Sequence, residues 1–278
     1  MRLTRHLSAD GPRWALDDGF LPPPFTLAHV LELPRAEAAD FLQALQSTGA
    51  AGGALLPPIE AEHEVWAAGV TYLRSREARE SESSVKDVYS RVYEAARPEL
   101  FFKSAGWRVA GHRMPIRIRG DSRWNVPEPE LTLVINAHGE TVGFCAGNDV
   151  SSRDIEGENP LYLPQAKVYN GSCALGPGIV LAEAEEFRDL AIRLEVIRAG
   201  RSIFTGDTRT TQMKRPFEEL VAYLCQELDF PRGVFLMTGT GIVPPQEFSM
   251  VCGDLVRVTV GSLMLENEVD SMLRTSRR

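Results

Sequence analysis

The chain has 278 residues, 44% of them hydrophobic, which is enough for one large domain or a large domain with a small companion. A formal net charge of -8 excludes an electrostatic grip on nucleic acid or on an anionic membrane surface, while leaving room for a small anionic substrate held by local cations. Apolar runs such as Gly178 to Ala182 are strand-sized, so no membrane span is expected.

Residues 1–62 read as a small N-terminal α/β unit. Met1 to His6 carries no apolar segment behind its charges, so no secretory leader is expected. Leu3 to Leu7 and Arg13 to Leu16, ahead of Asp17-Asp18-Gly19, have the pattern of short strands joined by turns. Pro22-Pro23-Pro24 is a rigid break. Ala36 to Leu45 places Ala38, Phe41, Leu42 and Leu45 at helical spacing, and Gly49 to Ala54 with Pro57-Pro58 marks a linker.

Residues 63–278 form the second unit. Val65 to Val70 and Pro98 to Lys103 read as buried strands, separated by the charged stretch Arg74 to Glu82 and a helix over 85–96. Short strands follow at Ile116 to Arg119, Leu131 to Asn136 and Thr141 to Ala146, then a hairpin from Ile192 to Phe204 turning at Arg198 to Arg201. Pro216 to Leu228 is the clearest helix, with Phe217, Leu220, Val221, Leu224 and Leu228 on one face. Strands return at Val234 to Met237, Leu255 to Val260 and Leu263 to Leu265. Strands outnumber helices without a βαβ alternation, so the fold class is a β-rich α+β. Cys145, Cys173, Cys225 and Cys252 are scattered, with no metal or disulfide spacing, which points to a reducing, cytoplasmic setting.

The five histidines make no ligand motif, and there is no G-x-S-x-G, P-loop or dinucleotide fingerprint. What remains is acidic. In Asn125-Val126-Pro127-Glu128-Pro129-Glu130-Leu131, alternate side chains of an extended strand share a face, so Glu128 and Glu130 point the same way. Two like charges that close need a cation between them, and oxygen-only ligands select Mg²⁺, Mn²⁺ or Ca²⁺. The prolines suit an edge strand. A hairpin turning at His138-Gly139 brings Asp149 back beside the glutamates, with Asp154 as its competitor. Lys167 is the notable cation that follows, either at this cluster or on the surface.

The order E-x-E, N-D-V-S-S-R-D, a lysine ahead of L-G-P, and T-G-T-G-I-V-P resembles the fumarylacetoacetate hydrolase superfamily over roughly residues 65 to 270. The resemblance implies a mixed β-roll, often with a small N-terminal domain, assembled as a homodimer or homotetramer. It also implies that Glu128, Glu130 and Asp149 hold Mg²⁺, that Lys167 lies beside the substrate, and that Thr240 meets the substrate carboxylate. Val70-Thr71-Tyr72, Ser75-Arg76-Glu77, the run Arg97 to Lys103, Pro127 to Leu131 and the run Glu158 to Gln165 resemble the 2-keto-3-deoxy-D-arabinonate dehydratase branch. Hydrolases of the superfamily carry N-Y-x-x-H-x-x-E after the first strand; here those positions read Thr71, Tyr72, Ser75 and Ala78. Without that imidazole a hydrolytic water has no base, so the expectation is elimination: dehydration of a 2-keto-3-deoxy sugar acid to 2,5-dioxopentanoate. Lys167 is the expected base, its ammonium destabilised by the metal and by burial. Glu99 and Glu77 are the candidate proton donors, and Ser75 and Arg76 the candidate contacts to substrate hydroxyls. The rival readings are an acylpyruvate-type hydrolase or 2-oxoacid decarboxylase of the same superfamily, or a binding module that has lost activity.

Overall fold

The computed structural model describes residues 1–82 and 86–271. In chain order the strands are β1 (Arg2–Ser8), β2 (Gly11–Leu16), β3 (Gly19–Phe20), β4 (Ala54–Leu56), β5 (Glu64–Gly69), β6 (Glu99–Ala105), β7 (Ile116–Ile118) and β8 (Asn125–Val126). They continue as β9 (Pro129–Ile135), β10 (Thr141–Asp149), β11 (Ser151–Ser152), β12 (Cys173–Leu181), β13 (Ala191–Arg198), β14 (Arg201–Arg209), β15 (Val234–Met237), β16 (Leu255–Val260) and β17 (Leu263–Ser271). The helices are α1 (Ala28–Leu31), α2 (Arg35–Ala44), α3 (Leu73–Glu82), α4 (Lys86–Glu94), α5 (Arg153–Glu158), α6 (Leu163–Lys167), α7 (Ala184–Phe187) and α8 (Phe217–Leu224). Val85, the first residue of the helix expected over 85–96, lies outside the described residues.

Among the described residues, ten strands form one sheet in the order β3-β2-β1-β12-β10-β9-β15-β5-β6, with β4 beside β1. A second sheet runs β14-β13-β16-β17-β7. Both are mixed: β15–β5 and β17–β7 are parallel pairs and the rest are antiparallel. The sheets pack where β9 and β10 meet β13 and β16, around Leu131, Leu133, Leu194, Val256 and Val258. Every residue of β9 is buried, and its sequence is accordingly a nearly continuous apolar run.

Pairing partners are not encoded locally, and two expectations change for that reason. Residues 1–62 share the large sheet: Leu3 of β1 sits opposite Ile179 of β12, while β2 and β4 attach to β1. Leu3, Trp14, Leu27 and Leu42 belong to the same apolar core as Leu131. Strand β9 is central, between β10 and β15, not an edge. Pro129 is tolerated there because it occupies the first position of the strand. The helix expected from Pro216 to Leu228 stops at Leu224, since Leu228 is 43% exposed and has no core to face.

The β9–β10 hairpin sets the site. Gly139 takes the turn at φ 73°, and the register pairs Glu130 with Gly147 and Pro129 with Asn148. Between the two prolines only Glu128 offers a backbone donor, and it donates to Asn148 Oδ1 at 3.1 Å. In return the Asp149 amide donates to the Glu128 carbonyl at 2.9 Å. Asn148→Leu keeps the branched side-chain shape and orphans the buried Glu128 amide, so unfolding stability should fall by about 1–3 kcal/mol, read as a lower urea midpoint at unchanged slope.

Candidate active site

Directly opposed residues of an antiparallel pair share a face, so Glu130 and Gly147 look the same way and are joined there by Glu128 and Asp149. Gly147 makes room for its neighbours: a Cβ on it would lie 2.3 Å from Thr132 Oγ1 and 2.8 Å from Met237 Cε. The carboxylates of Glu128, Glu130 and Asp149 are all buried and offer oxygens within 4.8 Å of one another.

Four cations surround them. Lys167, at the end of α6, donates to Glu128 Oε2 (2.6 Å), Asp149 Oδ2 (2.9 Å) and Ser151 Oγ (2.7 Å). Lys103 on β6 pairs with Asp149 Oδ1 and donates to the Val150 carbonyl at 3.1 Å. Arg79 of α3 and Arg153 of α5 each approach Glu128 Oε1 at 2.8 Å, and both also hold Glu156. Glu130 differs from its two neighbours in accepting a backbone donor, the Gly239 amide, at 2.6 Å. Gly239 is at φ 91°, and a Cβ there would meet Thr71 Oγ1 at 2.1 Å.

Ionisation follows this arrangement. Burial, reinforced by Asp149 and Glu128, pushes the Glu130 carboxyl well above the ordinary carboxylate range. Burial acts the same way on Asp149, but Lys103 and Lys167 outweigh it and hold the carboxyl below its usual value. Burial opposes the Lys167 ammonium, yet Asp149 and Glu128 keep it above the normal lysine value. The expected lowering of Lys167 is therefore not a property of the protein groups alone; their net carboxylate charge reverses it.

A three-carboxylate, oxygen-only cluster with one member's ionisation so strongly opposed fits a hard divalent ion such as Mg²⁺. Glu60, Glu62 and His63 also cluster but fit less well. Glu60 accepts Trp14 Nε1 at 2.7 Å and the Leu27 amide at 3.1 Å, while Glu62 faces Arg232 at 3.0 Å. Glu60 therefore already serves the packing of the N-terminal residues, and Glu62 is an exposed partner of Arg232.

The same pocket is lined by Ser75, Glu99, Phe101, Glu156 and Thr240. Burial, with Glu156 adding to it, pushes the Glu99 carboxyl up to about 7. Glu99 and Glu156 also line a side cavity of about 280 Å³ with Val88, Val92 and Leu163. Ser75 Oγ donates to the Tyr72 carbonyl at 2.8 Å, and Thr240 Oγ1 accepts the Ile242 amide at 3.2 Å.

Two candidates stand elsewhere. Arg76 lies over the Tyr93 ring at 4.9 Å and pairs with Glu80 at 3.4 Å. Glu77 is exposed, 3.9 Å from Arg74. On α3, Ser75 and Arg79 are four residues apart and share the inward face, which turns 76 and 77 away. Asp154, the competitor of Asp149, is taken by Ser122 Oγ at 2.6 Å and the Arg123 amide at 2.7 Å. Sequence reasoning missed Arg79, Lys103, Arg153 and Glu156. The spacings Ser75–Arg79 and Arg153–Glu156 were the available signals, both of helical period.

Residues 64–270 match the family model for the fumarylacetoacetate (FAA) hydrolase C-terminal domain. The chain is 47% identical over 217 residues to the Haloferax volcanii protein named "Probable 2-keto-3-deoxyxylonate dehydratase", covering 77% of this chain and 74% of that one. It is 43% identical over 206 residues to the 2-dehydro-3-deoxy-D-arabinonate dehydratase of Saccharolobus solfataricus, covering 72% and 69%. A solved 2-keto-3-deoxyarabinonate dehydratase superposes with a TM-score of 0.85 at 32% identity, over 99% of this chain and 100% of that one. A structure of 2-keto-3-deoxy-D-arabinonate dehydratase complexed with magnesium and 2,5-dioxopentanoate gives 0.81 at 31% identity, over 98% and 99%. With its mixed sheets, its buried acidic triad and these relatives, the chain belongs to the fumarylacetoacetate hydrolase family.

Proposed function

We propose that this site dehydrates a 2-keto-3-deoxy pentonate, of the D-arabinonate or xylonate type, to 2,5-dioxopentanoate. The observation that carries the reading is one pocket lined by both a lysine on the carboxylate triad and Glu99, whose carboxyl burial pushes up to about 7. Glu128, Glu130 and Asp149 are the residues that would hold Mg²⁺. A divalent cation there would supply Lewis acidity to the 2-oxo acid and offset the carboxylate charge beside Lys167.

Lys167, as the neutral amine after its ammonium proton has passed to solvent, accepts the C3 proton. Glu99 delivers its proton to the C4 hydroxyl, which leaves as water, and the unsaturated product tautomerises to the C5 aldehyde. Ser75 and Thr240 contact the substrate, Thr240 at its carboxylate. Arg79 takes the place on the inward face of α3 that the sequence assigned to Arg76. The space at the carboxylates is about 20 Å³. That is room for one water or ion, so a five-carbon acid enters only as the lining side chains rearrange. The FAA-hydrolase match beginning at residue 64 supports an ancestral boundary near 62, although the sheet runs across it.

Hydrolysis is disfavoured at position 75, where a serine hydroxyl bound to the Tyr72 backbone replaces a base. No helix among the described residues is long and apolar enough to cross a membrane. Four free thiols support a reducing cytoplasm. The family resemblance supports a homodimer or homotetramer.

Offered a panel of 2-keto-3-deoxy acids and acylpyruvates with Mg²⁺, the protein should yield 2,5-dioxopentanoate, detected with a coupled aldehyde dehydrogenase; acylpyruvate cleavage without it would favour the hydrolase. Chelator should abolish turnover and Mg²⁺ restore it. Lys167→Ala should retain divalent-ion binding by calorimetry yet lose at least about 100-fold in kcat. Because Glu99 must carry a proton, kcat should fall as pH rises through about 7, and Glu99→Gln should remove that limb of the profile.

A further inference from the structure

Gly69 ends β5 and is the cross-strand partner of Glu99, the first residue of β6. A strand residue ordinarily stands beside its partner's Cβ, at a Cβ separation of roughly 4.5–5.5 Å. Here the Glu99 side chain instead lies over the glycine. A Cβ on Gly69 would be 2.0 Å from Glu99 Oε2, 2.6 Å from Cδ and 3.2 Å from Cγ. All three of its nearest neighbours belong to that one side chain.

The backbone gives no other reason for a glycine. Gly69 is not among the residues with positive φ, so its conformation is open to alanine. The conformationally unusual residue is the next one, Val70, a β-branched side chain at φ 53° that also lines the pocket. The chain therefore uses a glycine where only a side-chain carboxyl needs room, and tolerates a valine where the backbone is unusual. Glu99 borders two spaces, the carboxylate pocket and the apolar side cavity of about 280 Å³.

We propose that Gly69 is a positioning residue, whose missing side chain lets the Glu99 carboxyl lie across β5 at the wall of the carboxylate pocket. A methyl group at position 69 drives that carboxyl off β5 toward the side cavity. The kinetic consequence rests on the reading of Glu99 as proton donor; the placement itself does not. Since the clashing atoms are the free end of a flexible side chain, the fold accommodates alanine.

The test is Gly69→Ala beside Glu99→Gln, with kcat and KM for the 2-keto-3-deoxy pentonate, Mn²⁺ affinity by calorimetry, thermal melting, and a crystal structure of the Gly69→Ala variant. Expected for Gly69→Ala are a kcat at least 10-fold lower, KM within threefold, Mn²⁺ affinity within twofold, a melting temperature within a few degrees, and Glu99 displaced from residue 69. Loss of kcat in Glu99→Gln with Gly69→Ala within threefold of wild type overturns the proposal. If Glu99→Gln keeps its kcat, the donor reading fails instead. The crystal structure then decides the placement: a Glu99 carboxyl that stays over the substituted position refutes it, and a displaced one upholds it.

Discussion

Burying three carboxylates within 4.8 Å of one another is the constraint around which this structure is arranged. Removing each charge from water costs several kcal/mol, and their mutual repulsion adds to that. Lys103, Lys167, Arg79 and Arg153 offset it, and each comes from a different element: β6, α6, α3 and α5. The large sheet supplies the acids on its central hairpin, and the surrounding helices bring most of the cations to them. Glu130 is left with a backbone amide and a strongly raised carboxyl, the position in the cluster most in need of a further positive charge.

The same charge balance separates the two groups proposed to transfer protons. Lys167 touches the triad directly, so its state is tied to the carboxylate charge, which a divalent ion alters. Glu99 sits across the pocket beside Glu156 and is kept near neutrality by burial and by that like charge. The proposed elimination requires Glu99 with its proton and Lys167 without one, so the raised Glu99 suits its role as it stands, while Lys167 suits its own only once the carboxylate charge beside it is reduced. Ser75 completes the distinction from hydrolysis, because its hydroxyl is committed to the turn that starts α3.

Much of the site was legible in the sequence because it obeys short-range periodicity. The two-residue spacing in Glu128-Pro129-Glu130 and the turn at His138-Gly139 offered Asp149 or Asp154 to the glutamates, and the family resemblance chose Asp149. The strands around them were legible from apolar runs such as Leu131 to Ile135. Long-range pairing was not: nothing in Leu3 to Leu7 announces β12 as a partner. Nor was helix phase on α3, where charged residues at 74, 76, 77 and 79 give no apolar stripe to fix which face turns inward. Arg76 and Glu77 were named from the Ser75-Arg76-Glu77 run, and without a fixed phase nothing singled out Arg79. The glycines at 69 and 147 were equally silent, since what they accommodate is a side chain from another strand.

Everything proposed for catalysis depends on the triad being a divalent-ion site whose ligands exchange their cationic partners for the metal. The most direct measurement is the anomalous difference map of crystals equilibrated with Mn²⁺. One strong peak is predicted at about 2.0–2.3 Å from oxygens of Glu128, Glu130 and Asp149, with Lys167 moved off Glu128. A peak at Glu60, Glu62 and His63 instead, or none at the triad under saturating Mn²⁺, would contradict it.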